Sequence, residues 1–222
     1  MLLSFNQLHA LVEGGVLTNV DPRNINGSSI DIVLGNEILV EIPPAAICPA
    51  CGHEKRKVPL NMYTSGDWAA PTVCGNPGCN TVHSFRAFTT PVDFSKKEPL
   101  NMKTIDITNG YALAPGESVL AHSVEVFHLP YHITAEYRLK SSMARVFLEH
   151  LHAGWCDPGW HDSVLTLELS NMSRYHHITL RAGEKCGQVM FYSHEEVPED
   201  QSYAVRGSYN GDTSAAQSRG VK

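Results

Sequence analysis

The sequence predicts a mainly β domain that opens with one short helix and carries a cysteine-rich insert. Three observations lead there. From about residue 104 onward the chain is a succession of short apolar runs broken by turn residues: TIDIT, YALA, SVLAHSVEVF, ITAEYRL, VLTLELSN, HHITLR and CGQVMFY. Runs at that spacing specify a barrel or a sandwich rather than βαβ units. Residues 4–13, SFNQLHALVE, place Phe5, Leu8, Leu11 and Val12 at helical spacing. Four of the six cysteines fall within residues 48–79.

Taken in order, the helix ends at Gly14-Gly15, which supplies the backbone freedom of a helix stop. Residues 22–28, PRNINGS, are turn-rich. Ile30, Ile32 and Leu34 alternate with Asp31 and Val33 and predict a strand; EILVEI, residues 37–42, predicts a second one. Pro43-Pro44 opens an insert that we run over residues 43–90, with a polar, turn-rich interior at 54–72. In the β region, Ala114-Pro115-Gly116-Glu117 and Arg181-Ala182-Gly183-Glu184 are turns. The end of the chain, residues 207–222, is rich in Gly, Ser, Ala and Asn, and 203–222 is expected to be mobile.

Composition narrows the function. The chain has 222 residues, enough for one domain with a small insert, and 42% hydrophobic against 18% charged residues supports a packed core. The net charge of −6, from 17 Lys+Arg against 23 Asp+Glu, argues against DNA or RNA binding, which calls for a basic face. Cations for a phosphorylated ligand must therefore be local. No window approaches 18 apolar residues, so no membrane association is expected. The N-terminal MLLSFNQLHALVEGG lacks the basic start of a secretory leader, and a cytoplasmic location is expected.

The clustered cysteines form two pairs, Cys48-Pro-Ala-Cys51-Gly and Cys74-Gly-Asn-Pro-Gly-Cys79. Two such knuckles can close a tetrahedron of thiolates, the geometry of structural Zn²⁺. Two disulfides fit a cytoplasmic chain badly, and a redox Cys-x-x-Cys leaves the second pair unexplained. His53 and His83 lie close enough in sequence to replace a thiolate, but read better as outer neighbours. Cys156 and Cys186 read as packed thiols. Zinc nucleobase deaminases carry His-x-Glu before Pro-Cys-x-x-Cys. Here the order is reversed and His53-Glu54 are adjacent, so the metal is expected to be structural.

Three segments could carry chemistry. Arg138-Leu-Lys140-Ser141-Ser142-Met-Ala-Arg145 holds three cations and two hydroxyls without a carboxylate, either an oxyanion cradle or, as composition alone favours, a solvated basic turn. Ala153-Gly154-Trp155-Cys156-Asp157-Pro158-Gly159-Trp160 is a turn flanked by tryptophans that could wall a base pocket, and Asp157 could simply cap it. In Val164-Leu-Thr-Leu-Glu168-Leu-Ser-Asn171, the leucines share one strand face and Val164, Thr166 and Glu168 the other. If that second face is covered, Glu168 is a partly buried carboxylate suited to general-base duty; if it faces water, it is an ordinary strand residue.

Together these segments resemble the dCTP deaminase branch of the trimeric dUTPase-like superfamily. The resemblance rests on Ile25-Asn-Gly-Ser-Ser-Ile-Asp31-Ile-Val-Leu-Gly35, Leu113-Ala-Pro-Gly-Glu117, Lys140-Ser-Ser-Met-Ala-Arg145, Ala153-Gly-Trp-Cys-Asp-Pro-Gly-Trp160, Leu165-Thr-Leu-Glu-Leu-Ser-Asn171, Gly187-Gln-Val-Met-Phe191 and the closing Ser218-Arg219. It covers residues 1–42 and about 100–219; the cysteine insert is additional.

The resemblance implies a distorted β-barrel assembled as a homotrimer, with active sites between subunits, that deaminates a deoxycytidine nucleotide without catalytic zinc. It implies Glu168 as general base, Ser141, Ser142 and Arg145 on phosphates and on the water and base, Lys140 among the nucleotide ligands, and Ala153 lining the base. Asp157 lies where the diphosphatases carry a water-activating aspartate. Tyr203, Arg206 and Tyr209 are matched to the lid, and Mg²⁺ would arrive with the phosphates.

Three departures stand out. The stretch from Arg145 to Ala153 is one residue short, and that from Trp160 to Glu168 is one long. The family's Lys-Tyr-x-x-Gln tail reads Ser208-Tyr209-Asn-Gly-Asp212. The leading expectation is deamination of dCTP to dUTP. The alternatives are a dUTP diphosphatase or bifunctional dUMP-forming deaminase, a dCMP deaminase, and a non-catalytic nucleotide-sensing regulator.

Overall fold

The computed structural model describes residues 1–41, 46–47, 50–51, 54–55, 72–74, 76–79, 81–83, 95 and 100–220. The chain divides into two units: Met1–Val40 with Met102–Gln217, and Glu41–Asn101 with Ser218–Lys222.

The first unit opens with helix α1, Phe5–Glu13. Ser4 caps it, its N–H donating to Gln7 Oε1 at 3.0 Å. Leu8 and Leu11 are buried, while Phe5 turns out 47% exposed and does not join the core stripe. Gly15, at φ +76°, ends the helix and leads into β1, Leu17–Thr18.

Strand β2 runs without interruption over Ile30–Glu41, where the sequence predicts two strands. The reason lies at Gly35. Leu34 pairs with Ser123 and Ile38 with Ala121, so extra residues of β2 bulge out between them. A Cβ at Gly35 would stand 2.1 Å from His122 Cε1; glycine here admits a ring rather than a turn.

The second unit contributes the two-residue strands β3 (Ala46–Ile47), β4 (Glu54–Lys55), β5 (Thr72–Val73) and β6 (Val82–His83). The first unit continues with β7 (Met102–Asp106), β8 (Tyr111–Leu113), β9 (Ser118–His128), β10 (Ile133–Leu139), the single turn α2 (Ser141–Ala144), β11 (Leu148–Glu149) and β12 (Trp155–Cys156). Then come β13 (His161–Asn171), β14 (Ile178–Leu180), β15 (Lys185–Ser193) and the single turn α3 (Tyr203–Arg206). The Ala114–Glu117 and Arg181–Glu184 turns form as the sequence predicts, with Gly116 and Gly183 at φ +76° and +82°.

The main sheet is ordered β11-β13-β9-β2-β15-β10-β12, with β1 on β9 and β7 on β2. Long antiparallel strands dominate it, as expected of a mainly β, dUTPase-like architecture. Leu165, Leu167 and Leu169 enter the core beside Ile30, Ile32, Val119, Phe127, Val189 and Phe191. Each fully buried side chain of this kind stabilises the fold by about 1.5–3 kcal/mol. Among the described residues no helix is long and apolar enough to cross a membrane.

Two carboxylates of this unit are buried, Asp31 at 4% exposure, which is ion-paired, and Glu125. Glu125 is 1% exposed, in phase with Val119, Ala121 and Phe127 on the inner face of β9. The Val33 N–H reaches its two oxygens at 3.1 and 3.3 Å. Burial, reinforced by the nearby Asp31 charge, pushes its pKa up to about 7.

The tail is docked along β13. Trp160 Nε1 donates to Tyr209 O at 2.8 Å, and Val164 N–H to Asp212 O at 2.8 Å. The Ser163 hydroxyl accepts from Gly211 N–H at 2.9 Å and stands 2.9 Å from Tyr209 O. Further on, Ala216 N–H donates to Thr166 Oγ1 at 3.1 Å.

Two predictions follow from these contacts. Glu125 titrates near 4.5 when unfolded and about 7 when folded, so between those values the folded state holds the extra proton. Stability therefore falls as pH rises through that window, by on the order of 3 kcal/mol, and is level above it. Glu125→Gln should remove this loss. Urea unfolding at about pH 5 and about pH 8 should show the variant gaining on wild type at the higher pH; an equal difference at both would contradict the burial argument. Separately, Ser163→Ala should speed hydrogen exchange across residues 203–216, costing about 1–3 kcal/mol of local protection, with β9 and β13 unchanged.

Candidate active site

Glu168 pairs with Leu120 of β9 and is half-buried, its carboxyl pushed above the ordinary carboxylate range by burial. The covered-face alternative is the one that the structure adopts. Val164 on the same face is only 7% exposed, and the tail crosses at Asp212 and Ala216.

The ladder of Glu168's strand is irregular before the site is reached. The β13–β9 register shifts between His161 and Ser163 and again between Val164 and Thr166. Asp162 takes φ +53° there, its carboxylate held by His161 Nδ1 at 2.8 Å and His128 Nδ1 at 2.9 Å. Beyond the bulges, Thr166, Leu167 and Glu168 pair in regular order with His122, Ala121 and Leu120. Glu168 is therefore in regular register with β9.

The backbone between Arg145 and Ala153 is strained. Phe147, Leu151 and His152 all adopt positive φ, at +65°, +55° and +57°. Bulky L-residues pay on the order of 1 kcal/mol or more for that conformation. β11 in this segment pairs with the end of β13, Glu149 opposite Ser170, and Met172 N–H donates to Phe147 O at 2.8 Å. The cradle that ends at Arg145 thus feeds directly into the edge of the Glu168 strand.

The three cations of the cradle are not equivalent. Arg138 pairs with Glu136 at 2.5 Å. Lys140 Nζ donates to Asp31 Oδ1 at 2.6 Å, and Lys185 Nζ lies 3.3 Å from Asp31 Oδ2. Burial alone would raise the Asp31 carboxyl, but hydrogen bonds from Lys140, Asn26 and Lys185 outweigh it and hold it below the usual range. Ser141, Ser142 and Arg145 are exposed on and just after α2, and among the described residues no ion pair engages Arg145.

On the 153–160 turn, Gly154 O accepts from Tyr137 N–H at 2.7 Å, and a Cβ at Gly154 would stand 2.3 Å from Tyr137 O. Ala153 and Asp157 are exposed. Gly159, at φ +84°, completes the Asp-Pro-Gly turn, and Asp157 O accepts from Trp160 N–H at 3.2 Å. The tryptophans do not act as paired walls. Trp160 is buried against Phe127, with ring centroids 5.0 Å apart, and its N–H anchors the tail. Trp155 is 63% exposed and donates to Asp157 Oδ1 at 3.0 Å.

Electrostatics links this turn to Glu168. Burial raises the Cys156 thiol, and the Asp157 and Glu168 charges add to the effect. Tyr137 is likewise raised by burial, with Cys186 and then Glu168 contributing. Tyr203 N–H donates to Pro158 O at 2.9 Å, Arg206 donates to Gln201 Oε1 at 2.7 Å, and the Tyr209 carbonyl holds Trp160.

A separate cleft of about 410 Å³ lies beside β9 and β13, with Asn36, His122, Val124, Asp162 and Asp212 among its lining residues. Sequence reading missed Asp31, Tyr137 and Glu125. Glu125 alone left a signal, as a carboxylate in phase with apolar strand neighbours. Of the cysteine quartet, Cys51, Cys74 and Cys79 lie in the second unit, and Cys48 is outside the described residues.

The sequence model of the dCTP deaminase-like family matches residues 77–194, more than half of the chain. A protein of Hydrogenobaculum sp. (strain Y04AAS1), "dCTP deaminase, dUMP-forming", is 36% identical over 102 residues, covering 46% of this chain and 56% of its own. Its namesake from Corynebacterium glutamicum (strain R) is 38% identical over 99 residues, covering 44% and 51%. The chain spans about half the length of the curated relatives it matches. Among solved structures, the 2'-deoxycytidine 5'-triphosphate deaminase from Agrobacterium tumefaciens shares the fold. Its TM-score is 0.52 at 16% identity, over 86% of this chain and 48% of that one. On the family match, the chain belongs to the dCTP deaminase-like family.

Proposed function

We propose that the chain deaminates a deoxycytidine nucleotide, dCTP first, with Glu168 as general base. The observation that carries this reading is a half-buried carboxylate with a raised pKa, held in register on β13 beside the Ala153–Asp157 turn. A carboxylate in such surroundings is basic enough to take a proton from water. The water oxygen attacks C4 of cytosine as Glu168 accepts its proton. That proton is passed to N3, and a second one to the leaving amino group. The C4–N4 bond then breaks, so that water and the cytosine nucleotide become the uracil nucleotide and ammonia.

In this reading Ser141, Ser142 and Arg145 hold phosphates through charge-assisted bonds, and Mg²⁺ travels with the substrate. Lys140 donates one of its three N–H groups to Asp31, which leaves donors for the nucleotide. Backbone at Ala153 reads the base, Asp157 borders it, and Tyr203, Arg206 and Tyr209 belong to the closing tail. Assembly as a homotrimer is supported by exposed apolar side chains around the cradle, Val146, Phe147, Leu151 and Trp155, which a second copy would cover. The relatives named as dUMP-forming favour a second step, hydrolysis to dUMP.

Glu168→Gln should lower ammonia release by about 10²–10⁴-fold with circular dichroism and oligomer size unchanged. Near-normal turnover in that variant would remove Glu168 from the mechanism. Product separation decides the second step: dUTP alone means deamination only, dUMP with pyrophosphate the bifunctional reaction.

Substrate length is open to the same assay. The tail carries Asp212 where the family has a neutral amide, so reliance on the γ-phosphate should be weaker than in typical relatives. The measurement is kcat/KM for dCTP, dCDP and dCMP in wild type and Asp212→Gln. A strong dCTP preference that Asp212→Gln leaves untouched would defeat the tail argument.

A further inference from the structure

The second unit holds two small hairpins. Ala46 pairs with Lys55 and Ile47 with Glu54 in one; Thr72 pairs with His83 and Val73 with Val82 in the other. Each carries its cysteines between its two strands, Cys48 and Cys51 in the first, Cys74 and Cys79 in the second. The second connection is tightly shaped. Cys74 N–H donates to Thr81 O at 2.9 Å, Cys79 N–H donates to Asn76 O at 3.0 Å, and Gly78 sits at φ +85°.

These turns bring sulfurs from both hairpins to one point. Cys51 Sγ lies 3.7 Å from Cys74 Sγ, and the sulfurs of Cys51, Cys74 and Cys79 all fall within 4.8 Å of one another. The separation is far beyond the roughly 2.05 Å of an S–S bond, and no disulfide joins the described cysteines. It does match a metal tetrahedron: Zn–S bonds of about 2.3 Å at tetrahedral angles set sulfurs about 3.8 Å apart. Asn76 Nδ2 lies 3.6 Å from Cys51 Sγ, where an N–H donor would stabilise a metal-bound thiolate.

We propose that Cys51, Cys74 and Cys79, with Cys48 as fourth ligand, bind one Zn²⁺ that ties the two hairpins together. Cys48 lies outside the described residues and enters on its sequence spacing from Cys51 alone. Binding converts four thiols to thiolates and releases their protons. Four thiolates leave no position for water, so the ion is a scaffold and not a Lewis acid.

The test is metal analysis of the full chain purified without chelator, beside Cys74→Ser and Cys48→Ser. One zinc per chain is expected in wild type and substoichiometric zinc in both variants. Cobalt-loaded wild type should show the intense visible bands of tetrahedral thiolate coordination. Misfolded variants are separated from lost ligands by stripping the metal from wild type. Hydrogen exchange should then rise in peptides from 41–101 while β9 and β13 keep their protection.

Wild type with reduced thiols and substoichiometric zinc overturns the site, as does full zinc in Cys74→Ser. Cys48→Ser that keeps its zinc and an unchanged cobalt spectrum overturns the fourth ligand. Unchanged protection of 41–101 after metal removal overturns the structural role.

Discussion

Strand β13 pairs with β9 along one edge and with β11 at its end, and those pairings set where the candidate residues of the first unit sit. The leucine face is held in the core, so the register cannot slip by one residue without exchanging Leu165, Leu167 and Leu169 for Thr166 and Glu168. The irregularities of the ladder lie at Asp162 and before Thr166, and Glu168 beyond them is in regular register. The same strand receives the tail, through Ser163, Val164 and Thr166, and the exit from the cradle, through Ser170 and Asn171.

What the sequence made legible is local in origin. Alternation marked the strands from Met102 to Ser193, the glycines marked the two turns, and helical spacing marked α1. The readings that stayed open or went astray depend on partners distant in the chain. Gly35 looked like a break between strands because its reason is a ring at His122 on another strand. The burial of Glu168 was undecided because tail residues near Ala216 help to cover its face. The Lys140–Asp31 pair joins positions 109 residues apart, and no local pattern announces it. Trp160 looked like part of a pocket because tryptophan beside a turn does not reveal which way the indole goes.

Two local irregularities of different kinds flank the site. The ladder of β13 bulges at Asp162, whose carboxylate is secured by two histidines. Between Arg145 and Ala153 the backbone is left-handed at Phe147, Leu151 and His152. Strain of this kind persists only where the surroundings over-determine it. Here β11 fixes the segment against β13 on one side and Gly154 fixes the turn against Tyr137 on the other.

Charge accounting connects the cradle to assembly. A nucleoside triphosphate brings several negative charges to a protein whose own net charge is −6. Arg138 is paired with Glu136, whereas the single charge of Asp31 is shared by Lys140 and Lys185, and among the described residues no ion pair engages Arg145. These few positive charges offset a monophosphate better than a triphosphate. Holding the longer chain of phosphates therefore calls for Mg²⁺ on the substrate, for cations from a second copy, or for both. The apolar side chains beside the cradle favour a second copy, because Phe147 and Trp155 gain from burial what the charges alone would not supply. If the proposed triphosphate is the substrate, this segment's own residues leave its charge to be met by Mg²⁺, by a second copy, or by both.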